Sequence, residues 1–187
     1  MTAKTEGETL VIQHEYTPLA RRIWAVVRLG LGWIFLWAFL DKTFALGFTT
    51  GRLEDGTVDY LGDAAWINGA SPTFGFLNFG TRGVFGDFLQ SLAGQAWVDW
   101  LFMIGLLAIG LALIFGVGMR IAAVSGAVVL ILMWLAALWP EHNPAVDDHI
   151  IYALVLVGLA AIDAGDTWGL GRQWGRTRLV RKYPVLK

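Results

Sequence analysis

Two ionisable residues interrupt stretches of this chain that are otherwise apolar enough to lie in a bilayer. Arg28 falls inside Ile23–Leu40, and Asp163 closes the run Ile150–Ile162. A charge at membrane depth is expensive unless it is paired or hydrated, so each residue marks a site by default. Each stripe also holds a polar companion fourteen residues away: Arg28 leads to Lys42, and His149 leads to Asp163. Fourteen residues make nearly four helical turns, which puts each pair along one helix face. If the two helices run antiparallel, with Lys42 and His149 level at one surface, Arg28 and Asp163 come level about 21 Å further in. The spacing predicts a structural ion pair between Arg28 and Asp163, because pairing offsets much of the cost of burying either charge. The alternative is that Arg28 snorkels to headgroups and Asp163 caps a frayed helix end.

The far ends of the same two stripes are the candidates for catalysis: Lys42, His142 and His149. His142 and His149 flank an acidic segment with Glu141, Asp147 and Asp148. Their spacing matches no strong metal signature, so no metal site is expected. Histidine is suited instead to carrying protons beside a quinol, since it titrates near physiological pH. Lys42 and Arg82 could offer positive charge to an arriving anion, against the neighbouring carboxylate of Asp41. Arg28, Phe35, Trp37, Asp41, Arg82 and Trp134 are the expected lining of a substrate pocket, with core packing as the competing role for the aromatic members. The chain has no cysteine, which excludes thiolate catalysis and Cys-ligated iron–sulfur centres. No inward-facing pair of histidines suggests haem, and no flavin or dinucleotide fingerprint is present. Electrons cannot be stored on such a chain.

Of the 187 residues that form the elements holding these side chains, 56% are hydrophobic and ten are tryptophan. That is too apolar for a soluble domain of this size. Trp100–Met119 and Ile121–Pro140 contain no charge at all, and each approaches the roughly 20 residues a spanning helix needs. The reading is an all-α integral membrane four-helix bundle over 21–170, with helices at about 21–46, 97–118, 120–140 and 148–169. A polar tail covers 1–20 and a basic tail 171–187. Lys and Arg gather in the tails and at Arg120, whereas the opposite loops hold only Lys42, Arg52 and Arg82 among many carboxylates. The positive-inside bias therefore predicts both termini in the cytoplasm, in a plasma-membrane protein whose first helix is retained as an anchor. The basic tail is expected to meet anionic lipid rather than nucleic acid. The outer loop 47–96 is long enough to need its own structure. Val84, Phe85, Phe88, Leu89 and Leu92 predict a short amphipathic helix in it.

The strings Arg28-Leu-Gly30, Asp41-Lys42, Trp66-Ile-Asn-Gly-Ala-Ser-Pro72, Gly116-Val-Gly118-Met-Arg120 and Gly165-Asp-Thr-Trp-Gly169 resemble the DoxX/DoxD family of small four-helix membrane proteins. The likeness runs from about Arg22 to Trp174, and the loop string is closest to the DoxD-type branch. It implies the large subunit of a thiosulfate:quinone oxidoreductase, in which thiosulfate is oxidised to tetrathionate and electrons pass to membrane quinone as a diffusible acceptor, its headgroup seated in the aromatic pocket named above. It also implies a DoxA-like small subunit as partner; self-association is a further expectation. One departure is that many members carry an acidic residue early in the second helix, where this chain has Asp99 a turn sooner. The second functional reading is a non-catalytic membrane scaffold for redox or detoxification partners.

Overall fold

Where the chain leaves its polar N-terminal segment, Thr17 and Pro18 start the first helix. The threonine hydroxyl accepts the Ala20 amide at 3.2 Å, and proline occupies the first turn, where its missing N–H costs nothing. In this computed structural model, which describes residues 16–140, 143 and 145–187, the helix α1 then runs Pro18–Phe44. At 1.5 Å per residue it is about 40 Å long. Helices α3 (Ala96–Phe115) and α4 (Met119–Ala136) follow a long connection that includes the short α2 (Gly86–Gln90). After them come α5 (Asp148–Ala161) and two short C-terminal helices, α6 (Gly171–Gly175) and α7 (Arg178–Lys182). Among the described residues there is no strand, only an isolated bridge between Arg52 and Val58.

Three of these helices, α1, α3 and α4, are long and apolar enough to cross a membrane. Their outward faces carry Ile23, Val26, Ile34, Leu101, Ile104, Val124, Val128 and Leu132, all exposed. A face so apolar suits lipid rather than water. The apolar helix α5 has 14 residues, about 21 Å, and is too short to cross a bilayer core by itself. It stops well before residue 169, the end expected from sequence. Asp163 adopts a left-handed backbone (φ 49), and Ala164–Asp166 form a 3-10 turn.

Packing is densest between α1 and α3 and between α4 and α5. The core runs between them as helical stripes: Leu31 and Phe35 from α1, Met103, Leu106, Ile109 and Leu113 from α3, and Leu156 and Leu159 from α5. Glycine sets the distances. A Cβ on Gly110 would lie 2.8 Å from the Leu36 amide nitrogen, so α1 and α3 meet nearly backbone to backbone. The turn after α5 docks in the same way. A Cβ on Gly165 would lie 2.4 Å from the Gly116 carbonyl oxygen, at the end of α3. That contact brings the chain after α5 across both α1 and the α3–α4 turn.

The long connection is folded rather than loose. Trp66 stands edge-on to Trp100 at 4.7 Å and to Phe39 at 6.5 Å between ring centroids, pinning the loop to α3 and α1. The helix expected around Val84–Leu92 is present as the short α2.

Candidate functional site

Arg28 is completely buried, and no carboxylate among the described residues meets it. Its guanidinium lies at the C-terminal end of α3, where the last four helix carbonyls have no partner within the helix. Each of those four finds one elsewhere. Ala112 O accepts the amides of Gly116 and Val117, and Phe115 O accepts that of Leu170. Leu113 O and Ile114 O, the latter at 2.8 Å, both accept from Arg28 Nη1. Nη2 donates to the carbonyls of Thr167 and Trp168 at 3.2 and 3.1 Å. A cation at this place also faces the negative end of the α3 dipole. Arg28 is thus a cap supplied to α3 by another helix, and a clamp on the segment after α5. Nε alone is left without a partner.

The expected Arg28–Asp163 ion pair does not form. Asp163 lies beyond the end of α5, so the four-turn stripe from His149 is broken before it arrives. Its carboxylate is partly exposed and pairs with Lys187 Nζ at 2.9 Å. The C-terminal segment is folded across this end of the molecule. Arg120 donates from its amide to Lys187 O (3.1 Å) and from Nη1 to Pro184 O (3.0 Å), and Trp174 Nε1 donates to Leu186 O (2.6 Å).

At the opposite end, the polar side chains are engaged in turns. Asp41 is buried, and its carboxylate accepts the amides of Phe48 and Thr49 at 3.1 and 2.9 Å and the Thr49 hydroxyl at 2.7 Å. Lys42 Nζ donates to the same hydroxyl at 3.2 Å. Trp37 packs edge-on against Phe48 at 5.0 Å, closing the turn. Asp99, buried in the first turn of α3, accepts from Ser71 Oγ (2.8 Å), the Thr73 amide (3.2 Å) and Thr73 Oγ1 (2.6 Å). It thereby ties the end of the Trp66–Pro72 string to α3. Asp147 caps α5 by accepting the Ile150 amide. A carboxylate can only accept, so the 2.7 Å contact with His149 has Nδ1 donating. Asp147, Asp148 and His149 bring their ligand atoms within 4.8 Å of one another. Burial pushes the Asp147 carboxyl up. The hydrogen bonds from His149 and Ile150, with the His149 charge, outweigh that and hold it below the usual carboxylate range.

Phe35 belongs to the core. The Trp134 indole Nε1 is buried without a partner. The Arg82 amide donates to Ala136 O, joining the connection to the end of α4. No hydrogen bond or ion pair joins Lys42 to His149 among the described residues, and His142 and Glu141 lie outside them.

Two adjoining cavities open at the Arg28 end, a position that sequence reasoning did not favour for chemistry. A groove of about 210 Å³ separates Tyr16, Arg21 and Trp24 from the segment Ile162–Ala164 with Asp166 and Thr167. A cleft of about 300 Å³ lies beside it, lined by Pro18, Arg21, Arg22, Asp166, Thr167, Trp168 and Arg172. The signal in the sequence was the Arg21-Arg22 pair just before the first apolar run. It served to orient the chain and gave no hint that Arg172 joins it. No protein-family model, curated protein or solved structure matches the chain.

Proposed function

We propose that this chain is a DoxX/DoxD-like membrane subunit of a quinone-linked oxidoreductase. In this reading four helices cross the plasma membrane as a bundle with both termini in the cytoplasm, and the turn after α5 completes the short fourth span. The orientation rests on the Lys/Arg bias, with Arg21, Arg22, Arg120 and the tail on one side.

The observation that carries the reading is the groove between α1 and the end of α5. Trp24, Tyr16 and Ile162 offer aromatic and apolar walls to a quinone ring, and Asp163, Asp166 and Thr167 offer polar partners to its oxygens. Lys42 and His149 are engaged in a turn and a helix cap, so the proposal moves the quinone from their end to this one. Quinone takes up two electrons and two protons to become quinol. Two thiosulfate ions joined through a new S–S bond as tetrathionate would release those two electrons. The chain stores none, so the donor meets quinone here, directly or through a DoxA-like partner.

The test is quinone reduction by thiosulfate in proteoliposomes holding the purified protein, alone and with a candidate partner. Trp24→Ala and Asp163→Asn are expected to lower the rate at least as much as they raise KM for quinone, while Lys42→Ala and His149→Ala leave it near wild type. Loss of activity in Lys42→Ala with Trp24→Ala unaffected would return the chemistry to the other end.

The non-catalytic scaffold is kept as a second reading by one observation: Arg28, Asp41 and Asp99, the buried charges, each bond to several groups of the protein itself. A stable co-purifying protein with no thiosulfate-dependent quinone reduction would favour it.

A further inference from the structure

The cleft beside the groove collects three guanidinium groups against one carboxylate. Arg21 and Arg22 come from the first turns of α1, Arg172 comes from α6, and Asp166 is the single acid in the lining. All three arginines are exposed, and none has a hydrogen-bond or ion-pair partner for its side chain among the described residues. They differ in this from every other engaged cation at this end. Arg28 donates to four carbonyls, Arg120 holds the C-terminal segment and Lys187 holds Asp163.

The wall opposite α1 is fixed rather than adaptable. Thr167 and Trp168 turn their carbonyls inward onto Arg28, which leaves the other side of this segment facing the cleft. Trp168 has a left-handed backbone (φ 53), uncommon for a bulky residue and costly unless neighbouring contacts hold it. Arg28 supplies that hold. The indole itself is 58% exposed at the rim, as expected for a tryptophan at a membrane–water interface. Asp163, which borders the neighbouring groove, is neutralised by Lys187. Among the described residues, the positive charge of the cleft is therefore opposed only by Asp166.

We infer that this cleft binds a phosphate-type oxyanion, held by Arg21, Arg22 and Arg172. Guanidinium forks match the planar pairs of oxygens on such a group, and the start of α1 adds the positive end of a helix dipole. A volume of about 300 Å³ lies at the small end of ligand sites and suits a headgroup or a free anion. The oxyanion could arrive as an anionic phospholipid headgroup at the end of the span or as free phosphate from solution. The inference needs only the cleft and stands apart from the quinone reading.

The full chain is purified in detergent and two arms are measured without quinone. The first compares retention of phosphatidylglycerol and phosphatidylcholine by native mass spectrometry. The second titrates inorganic phosphate by calorimetry. Wild type is expected to prefer phosphatidylglycerol, to bind phosphate, or both. The triple variant R21A/R22A/R172A should weaken whichever is seen by on the order of a hundredfold, from about fivefold per arginine. The triple lysine variant should recover part of the affinity, because a point charge lacks the fork. The exposed tail variant R176A/R178A/R181A serves as the charge-matched control and should leave binding unchanged. Phosphatidylglycerol preference without phosphate binding identifies the lipid as the source, and the reverse identifies a soluble anion. Absence of both in wild type overturns the inference. So does an equal loss in the tail control, which would show diffuse attraction instead of a site. Since these side chains bond to nothing among the described residues, an unchanged thermal midpoint is expected and confirms that the triple variant is folded.

Discussion

The two ends of this molecule use charge in opposite ways. At the Lys42 end, Asp41, Asp99 and Asp147 are each consumed by local amides and hydroxyls, and the result is a set of fixed turns around the helix starts and stops. At the Arg28 end one arginine is consumed just as fully, but three others face an open cleft beside a groove. Burial decides between the two uses. A charge removed from solvent must have all its partners in the protein, whereas an exposed one can keep its donors free for something that arrives.

The largest break in that contrast is expected at Arg28. Arg28→Met keeps an apolar stem but strips four carbonyls of their donor, at about 1–3 kcal/mol for each carbonyl left unpaired. Thermal unfolding in detergent should show a severe loss, with Arg28→Lys recovering only part of it because lysine lacks the planar fork. A Met variant as stable as wild type would mean that water already satisfies those carbonyls. It would also remove the reason given for the fixed wall of the cleft.

Asp41→Ala should come next. It releases the Phe48 and Thr49 amides and the Thr49 hydroxyl, costing roughly 1–3 kcal/mol if the freed groups stay buried. Proteolysis or hydrogen exchange should then report opening of residues 45–50, with the Arg28 end unaffected. Asp41→Asn should fall between the two, since the amide oxygen can accept but carries no charge. If the loss spreads to the Thr167–Trp168 segment, the ends are coupled and the contrast between them fails.

The smallest effect is expected from Asp147. Its carboxyl titrates lower in the folded protein than in the unfolded chain, so its contribution is fully present above the unfolded value of about 3.9. That contribution is lost as pH falls through the lower folded value. Comparing wild type with Asp147→Asn across acid pH should show the stability difference shrinking below about pH 4. Asp147→Ala at neutral pH should cost about 1 kcal/mol, the usual worth of a helix N-cap. A difference that instead grows on acidification would contradict the sign argued here.

Much of the fold was legible because its strongest signal is local. The three membrane-length helices are long apolar runs, broken in the interior of α1 only by Arg28, and breakers mark some of their ends: Pro18 at the start of α1 and Gly116 after α3. The amphipathic run in the connection likewise announced α2. The site was far less legible. Arg28 and Asp163 were both recognised as exceptional, yet spacing along a helix assumes that the helix continues. Nothing local in Ala161-Ile162-Asp163 shows it ending there. The reason lies 46 residues earlier in the chain, where Gly116 leaves room for Gly165 to dock on the end of α3.

By itself, then, the sequence determined that the chain is helical and apolar enough for a membrane, that it lacks thiol chemistry, and that Arg28 must be either paired or brought to the headgroups. Those follow from composition, periodicity and the cost of an unpaired buried charge. Only the tertiary structure decided who the partners are. Arg28 found carbonyls at a helix end instead of Asp163, Asp163 found Lys187, and Arg172 joined Arg21 and Arg22 across 150 residues of chain. The physical reason is that hydrogen-bond and charge partners are chosen by proximity in space. Here that proximity depends on where α5 stops and how closely two glycines let the chain approach.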